Sequence, residues 1–71
     1  MIAYEVNGKG AESNSYVCSI LSDETPSELP VVGDNVTGLS KGSKIAPGSV
    51  FMDLQAKKTY MMGESDSWFE L

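Results

Sequence analysis

Cys18 is the only thiol of this 71-residue chain, and the sequence contains no histidine. Serine and cysteine nucleophiles are commonly activated by a neighbouring histidine, so neither arrangement is available here. Cys18 falls on the apolar face of a predicted strand, which favours a small buried side chain over a reactive thiol. A single cysteine also excludes a disulfide within the chain and, without histidine, disfavours a structural zinc site.

Carboxylates are the other groups that could do chemistry. Asp23, Glu24 and Glu28 lie close together, in a segment that also contains Pro26 and Pro30. General acid–base catalysis needs a carboxyl group held in a cleft with a shifted pKa. A β domain of this length has little room for such a cleft, so we predict that the chain is not an enzyme.

Three polar loops resemble ion-binding sites only in part. Residues 64–67 (ESDS) place oxygen atoms in a turn without the ligand spacing of a calcium loop. Residues 8–10 (GKG) and 41–44 (KGSK) lack the full Gly-rich pattern ahead of a helix that cradles phosphate. We interpret all three as turns, and predict no catalytic, cofactor-binding or metal-binding residue and no cofactor.

The net charge of −5 is unevenly distributed. Residues 1–40 contain six acidic residues and one lysine, whereas residues 41–71 contain four of each, and the chain has no arginine. Such a chain is poorly suited to gripping phosphates, so we expect no direct nucleic-acid binding. The first residues form neither a signal peptide nor a membrane span, which predicts synthesis in the cytoplasm and no membrane partner.

Apolar residues recur with a period of two rather than 3.6, which predicts an all-β fold. We expect one small β domain, sandwich or barrel-like, with an N-terminal hairpin over 1–21 and a three-stranded antiparallel meander over 49–71. Between them, residues 22–48 form a connecting segment and a long ordered loop, with a small strand at 35–37. Asn7-Gly8 predicts a tight turn, and Ser22 or Asp23 is expected to cap one short helical turn.

Both faces of the predicted meander carry large apolar side chains. Alternation places Val50, Met52 and Leu54 on one face of its first strand and Phe51 on the other. A free-standing sheet would expose one of these faces. We therefore expect a second layer, either the N-terminal hairpin or another protein chain. Because so short a chain buries only about 60% of its unfolded surface, self-association is favoured.

The C-terminal third resembles a short β-meander module of tailed-bacteriophage virion proteins, found in head-, neck- or fibre-associated proteins. The resemblance covers residues 46–63 (APGSVFMDLQAKKTYMMG) and 67–71 (SWFEL), with looser support from 15–17 (SYV) and 28–30 (ELP). The module starts with Gly-Ser or Gly-Asp, and its first strand ends in Asp or Asn. A Gly-Lys or Lys-Lys turn, a Tyr-Met or Tyr-Val pair, a short polar turn and a Trp near the chain end follow. Cys18 and the long loop over 33–45 depart from it.

The resemblance implies a non-enzymatic structural, assembly or decoration protein located in the virion. It would form a homo-oligomer, with a trimer favoured, and dock on a phage capsid, neck or tail protein. Tyr60 and Trp68 would be core framework residues, and Phe51, Met61 and Phe69 would be interface residues facing a neighbouring layer or subunit.

Two other hypotheses stay open on the sequence. In the first, the chain is a small acidic inhibitor or regulator that binds a basic surface of a host protein through Asp23, Glu24, Glu28 and Asp34. In the second, it is a β domain of unrelated role, such as an accessory subunit of an enzyme. An apolar sheet face at the binding surface would favour assembly over the acidic inhibitor.

Overall fold

The computed structural model describes residues 2–33, 39, 42–65 and 67–71 of the chain. Within these ranges there are strands and no α-helix, which confirms the all-β class, and no helix is long and apolar enough to cross a membrane. The strand expected over 35–37 lies outside the described residues. In chain order the strands are β1 (Ile2–Lys9), β2 (Ser15–Ser22), β3 (Lys44–Ile45), β4 (Val50–Asp53), β5 (Lys58–Met62) and β6 (Trp68–Glu70).

The described strands form one mixed sheet in the order β1-β2-β4-β5-β6, and β3 also pairs with β2. The predicted antiparallel hairpin (β1-β2) and antiparallel meander (β4-β5-β6) are both present. They are joined by parallel pairing of β2 with β4, from Ser19↔Val50 to Ser22↔Asp53. The hairpin therefore widens the sheet and does not form a second layer, which was one of the two alternatives predicted for it.

A short break separates β3 from β4, which follow one another along the same edge of β2. Ser49 lies in this break and is fully buried. Its hydroxyl donates to the carbonyl of Ala46 at 2.7 Å and accepts the backbone N–H of Cys18 at 2.9 Å. The Ser49 hydroxyl thus accepts a hydrogen bond from a backbone N–H of β2 at a point where neither β3 nor β4 pairs with that strand.

The connection between β1 and β2 differs from the prediction. Asn7 and Gly8 do not form the tight turn; β1 continues through them with a bulge between Val6 and Gly8, and neither Asn7 nor Gly8 has a positive φ. The bulge absorbs the extra residue and keeps the strand paired. The chain turns after Gly10, whose N–H donates to the carbonyl of Ser15 at 2.9 Å.

The hydrophobic core lies on one face of the sheet. Its buried side chains come from β2, β3, β4 and β5, and they are Cys18, Ile20, Ile45, Phe51 and Met62. The segment after β2 covers this face through Leu29, which packs against the core. Residues 23–30 contain no helical turn, contrary to expectation. The two prolines there lack N–H donors, and the Thr25 N–H donates to Gln55 Oε1 at 2.8 Å.

Trp68 fixes the connecting segment to the last strand. Its indole Nε1–H donates to the carbonyl of Pro30 at 2.7 Å. Nearby, the backbone N–H of Ile45 donates to the carbonyl of Val31 at 3.2 Å. These bonds hold the connecting segment over one face of the sheet.

Candidate functional site

We call the side of the sheet opposite the core the open face. The pairing register places its side chains in two rows that run across the strands. One row contains Glu5, Ser19, Val50, Met61 and Phe69; the other contains Ala3, Leu21, Met52 and Thr59, and continues to Leu71, whose N–H donates to the carbonyl of Thr59.

Large apolar side chains of the open face are exposed to solvent. Leu21 and Met52 are each 40% exposed, Phe69 is 49% exposed and Leu71 is 66% exposed. Glu5, on the edge strand β1, is the one charged residue in the two rows. A contiguous exposed apolar patch bordered by polar groups is typical of a protein-interaction surface.

The open face is uneven in height. A groove of about 370 Å³ crosses β1, β2 and β4, and the small residues Ala3 and Ser19 contribute to its lining together with Leu21, Val50 and Met52. At the other side of the sheet, Met61 and Phe69 face each other across β5 and β6. The groove therefore lies on the β1–β2–β4 side of the open face, and Met61 and Phe69 lie on the β5–β6 side.

Phe51, predicted as an interface residue, does not lie on the open face. Its side chain is fully buried, and its ring packs edge-on against Tyr60 and Trp68, with ring centroids 6.5 and 5.9 Å apart. The prediction that Phe51 faces a partner is wrong. It failed because three successive apolar residues, at 50–52, give β4 no period-two preference for either face.

The other predicted site residues divide between the two faces. Met61 and Phe69 lie on the open face, where Phe69 is about half exposed and Met61 is partly buried. Tyr60 and Trp68 lie on the opposite face and pack against the core cluster. The sequence analysis did not identify Leu21 and Met52 as exposed residues. Alternation predicts which face of a strand a side chain lies on, but not whether that face is exposed to solvent.

Cys18 is buried, and burial raises the pKa of its thiol. A raised pKa reduces the fraction of thiolate, which is the nucleophilic form. Cys18 therefore acts as a core residue, in agreement with the interpretation from the sequence.

Asp53 is a buried carboxylate that sequence reasoning did not single out. Its Oδ1 accepts the backbone N–H of Ala56 at 2.9 Å, and this bond is the main cause that lowers the pKa of Asp53 below its ordinary value. The positive charge of Lys58 acts in the same direction. Asp53 shapes the turn between β4 and β5, where Lys57 has a φ of 59°. The position of Asp53 at the end of a strand and before a turn is the sequence signal that would have indicated this role.

A second hollow of about 230 Å³ lies beside the β1–β2 loop and is lined by Glu12, Lys44 and Glu64 among others. Lys44 Nζ lies 3.4 Å from Glu12 Oε1, and both side chains are largely exposed. Exposed ion pairs of this kind contribute little to stability. Among the described residues, no three His, Cys, Asp or Glu side chains are grouped so that they could hold a metal ion.

Comparisons of the chain with protein-family models, curated proteins and solved structures give no match. The resemblance of residues 46–71 to phage virion proteins stays a prediction.

Proposed function

We propose that this chain is a non-enzymatic structural protein of a tailed-phage virion, made in the cytoplasm of the bacterial host, that oligomerises and docks on a capsid, neck or tail component. The observation that carries the assembly part is the open face, with four large apolar side chains exposed together. The phage part rests on the resemblance of residues 46–71.

Covering the exposed apolar side chains would contribute favourably to association. Fully burying a large apolar side chain gives about 1.5–3 kcal/mol. Leu21, Met52, Phe69 and Leu71 are 40–66% exposed, so covering each recovers roughly half of this. The four together offer on the order of 4 kcal/mol towards an interface, against which the loss of translational and rotational freedom must be set.

The acidic-inhibitor hypothesis would use a different surface. Asp23, Glu24 and Glu28 are exposed on the connecting segment, away from the open face, and Asp34 lies outside the described residues. Binding through such a segment would weaken strongly as salt screens the charges. Association through an apolar face would persist in salt, and the open face therefore favours assembly as the function.

The test is whether the chain is a component of virions. Tailed particles would be purified from the phage that encodes the chain, and the copies per particle counted by quantitative mass spectrometry. We expect a fixed copy number per particle. A deletion complemented by Phe69→Ser should incorporate fewer copies than one complemented by Val31→Ser, which changes an apolar residue that is 40% exposed on the connecting segment. Abundance in the lysate with absence from purified particles would overturn the proposal.

A further inference from the structure

We propose that the groove on the open face binds a lysine side chain of a partner protein, with the ammonium group at Glu5 on β1 and the alkyl stem along the apolar side chains of β2 and β4. This inference rests on the proposed function and adds to it the chemistry of the docking partner. Three features of the groove support it: an unpaired carboxylate, neighbouring hydrogen-bond acceptors and an apolar lining.

Glu5 is the charged group of the groove. It lines the groove from the edge strand β1, and its side chain is exposed. Glu12 and Glu70 form ion pairs with lysines of the chain, whereas no lysine among the described residues pairs with Glu5. Because the chain has a net charge of −5, its overall field also favours a positive group over a negative one. A cation from a partner would therefore complete an ion pair that the fold leaves open.

Two further acceptor groups lie beside the Glu5 carboxylate. Ser19 is the direct cross-strand partner of Glu5, which places their Cβ atoms about 5 Å apart. The Asn7 Nδ2 group donates to Ser19 Oγ at 2.7 Å, and within the described part of the chain Asn7 Oδ1 and the second lone pair of Ser19 Oγ accept no hydrogen bond. A lysine ammonium group has three separate donors, whereas arginine has a planar fork that suits a single carboxylate. Three separate acceptors therefore favour lysine.

The rest of the groove is apolar. Leu21, Val50 and Met52 line it, and the small side chain of Ala3 leaves space beside them. The volume of about 370 Å³ is near the lower end of the range for ligand pockets, which suits one long side chain better than a large molecule. The stem of a lysine can lie along apolar surface while its charged end stays among polar groups. The apolar lining and Glu5 thus match the two parts of one amphipathic side chain.

The surface around the groove favours a protein segment over a free amine. Leu21 and Met52 are each 40% exposed, and a single alkyl chain would leave part of both in water. A lysine flanked by apolar residues would cover more of this surface, and affinity rises with the apolar area that is buried. We therefore expect the docking segment to contain a lysine next to apolar residues. This contact leaves the β5–β6 side of the open face, with Phe69, for self-association.

Matched probes test the charge and the apolar lining separately. Hexylammonium, hexanol and hexanoate have the same chain length and differ in charge, and NMR titration of the isotope-labelled chain would measure their dissociation constants. Hexylammonium should bind about threefold more tightly than hexanol, as expected for an exposed ion pair, and hexanoate should bind more weakly than both. The largest changes in chemical shift should occur at Leu21, Val50 and Met52.

Variants of the groove assign these effects to residues. Glu5→Gln keeps the size of the side chain and removes its charge, so it should weaken hexylammonium binding about threefold and leave hexanol binding unchanged. Leu21→Ala should weaken the binding of both probes. Glu28→Gln, at an exposed glutamate on the connecting segment, is the control and should change neither. Equal affinities for hexylammonium and hexanol, equal effects of Glu5→Gln and Glu28→Gln, or no saturable binding of any probe would overturn the inference.

A peptide distinguishes a protein segment from a free amine. The leucines of acetyl-Leu-Lys-Leu-amide should make it bind at least about fivefold more tightly than hexylammonium, and replacing its lysine by norleucine should lower the affinity about threefold. A peptide that binds no more tightly than hexylammonium would overturn the assignment to a protein segment and indicate a small amine as the occupant. All these constants are measured on the chain alone, so its absence from virions would overturn the proposed function without altering them.

Discussion

Phe51 and Met52 are neighbours in β4, yet Phe51 is fully buried whereas Met52 is 40% exposed. Their opposite orientation divides the sheet into a core face, covered by the connecting segment, and the open face. Successive side chains of a strand point to opposite faces of the sheet. Because Phe51 points into the core, Val50 and Met52 must lie on the open face. This one-residue relationship determines which apolar groups stabilise the fold and which are available to a partner.

The first prediction separates these two roles by stability. Phe51→Ala removes a ring that packs against Tyr60 and Trp68, so it should lower the free energy of unfolding by about 3–5 kcal/mol. Met52→Ala removes a side chain that is partly in water, and at protein concentrations low enough to keep the chain monomeric it should cost less than about 1 kcal/mol. Urea unfolding followed by circular dichroism measures both. Equal losses would show that the facing of β4 is wrong.

The second prediction concerns Trp68, which joins β6 to the connecting segment. Trp68→Ala should destabilise the chain by about 3 kcal/mol or more, because it removes both packing against Phe51 and the hydrogen bond to Pro30. Trp68→Phe keeps most of the packing and loses only the bond, so about 1 kcal/mol is expected. Thermal unfolding monitored by circular dichroism gives both values. A loss below about 1 kcal/mol in Trp68→Ala would place Trp68 outside the core.

The third prediction uses two glycines of the first hairpin. A Cβ on Gly10 would lie 2.3 Å from Ser15 Oγ and 2.6 Å from Ala46 Cβ, whereas a Cβ on Gly8 would meet nothing within 4 Å. Gly10→Ala should therefore destabilise by roughly 1–3 kcal/mol through overpacking. Gly8→Ala should be neutral or slightly stabilising, because alanine restricts the unfolded chain. The reverse order of stabilities in urea would contradict the described close approach at Gly10.

The fourth prediction is a pH dependence that arises from Asp53. Its pKa is lowered from an ordinary value of 3.8, chiefly by the N–H of Ala56, so the folded state favours the ionised carboxylate. The stabilisation is complete above the ordinary value and is lost as the pH falls through the lowered pKa. Asp53→Asn keeps an acceptor oxygen but does not titrate, so its stability should fall less steeply than that of the wild type below about pH 4. Parallel curves for the two proteins would show that Asp53 does not contribute.

The strands could be predicted from the sequence because their pattern is local. Alternation in β1 and β2 and the short polar turns around β5 locate the hairpin (2–22) and the meander (50–70) to within one residue of the predicted ranges, 1–21 and 49–71. The same alternation places Tyr60 and Trp68 on one face of the sheet and Met61 and Phe69 on the other face, as in the structure.

The assembly of the strands could not be predicted in the same way. The parallel pairing of β2 with β4 joins segments separated by 27 intervening residues, and period-two alternation carries no information about which strands are neighbours. The facing of β4 depends on that pairing, which sets Phe51 beside Ile20. The groove depends on it too, since Leu21 and Met52 meet only across the β2–β4 junction.

The mass of the chain in solution, measured by light scattering over a concentration series, tests the self-association of the open face most directly. We expect the mass to rise above the 7.6 kDa of one chain as concentration increases. Phe69→Ser, measured beside it, should stay near the single-chain mass at concentrations where the wild type is associated. A wild type that keeps the mass of one chain at the highest concentration, or a Phe69→Ser variant that associates as well as the wild type, would contradict self-association through the open face.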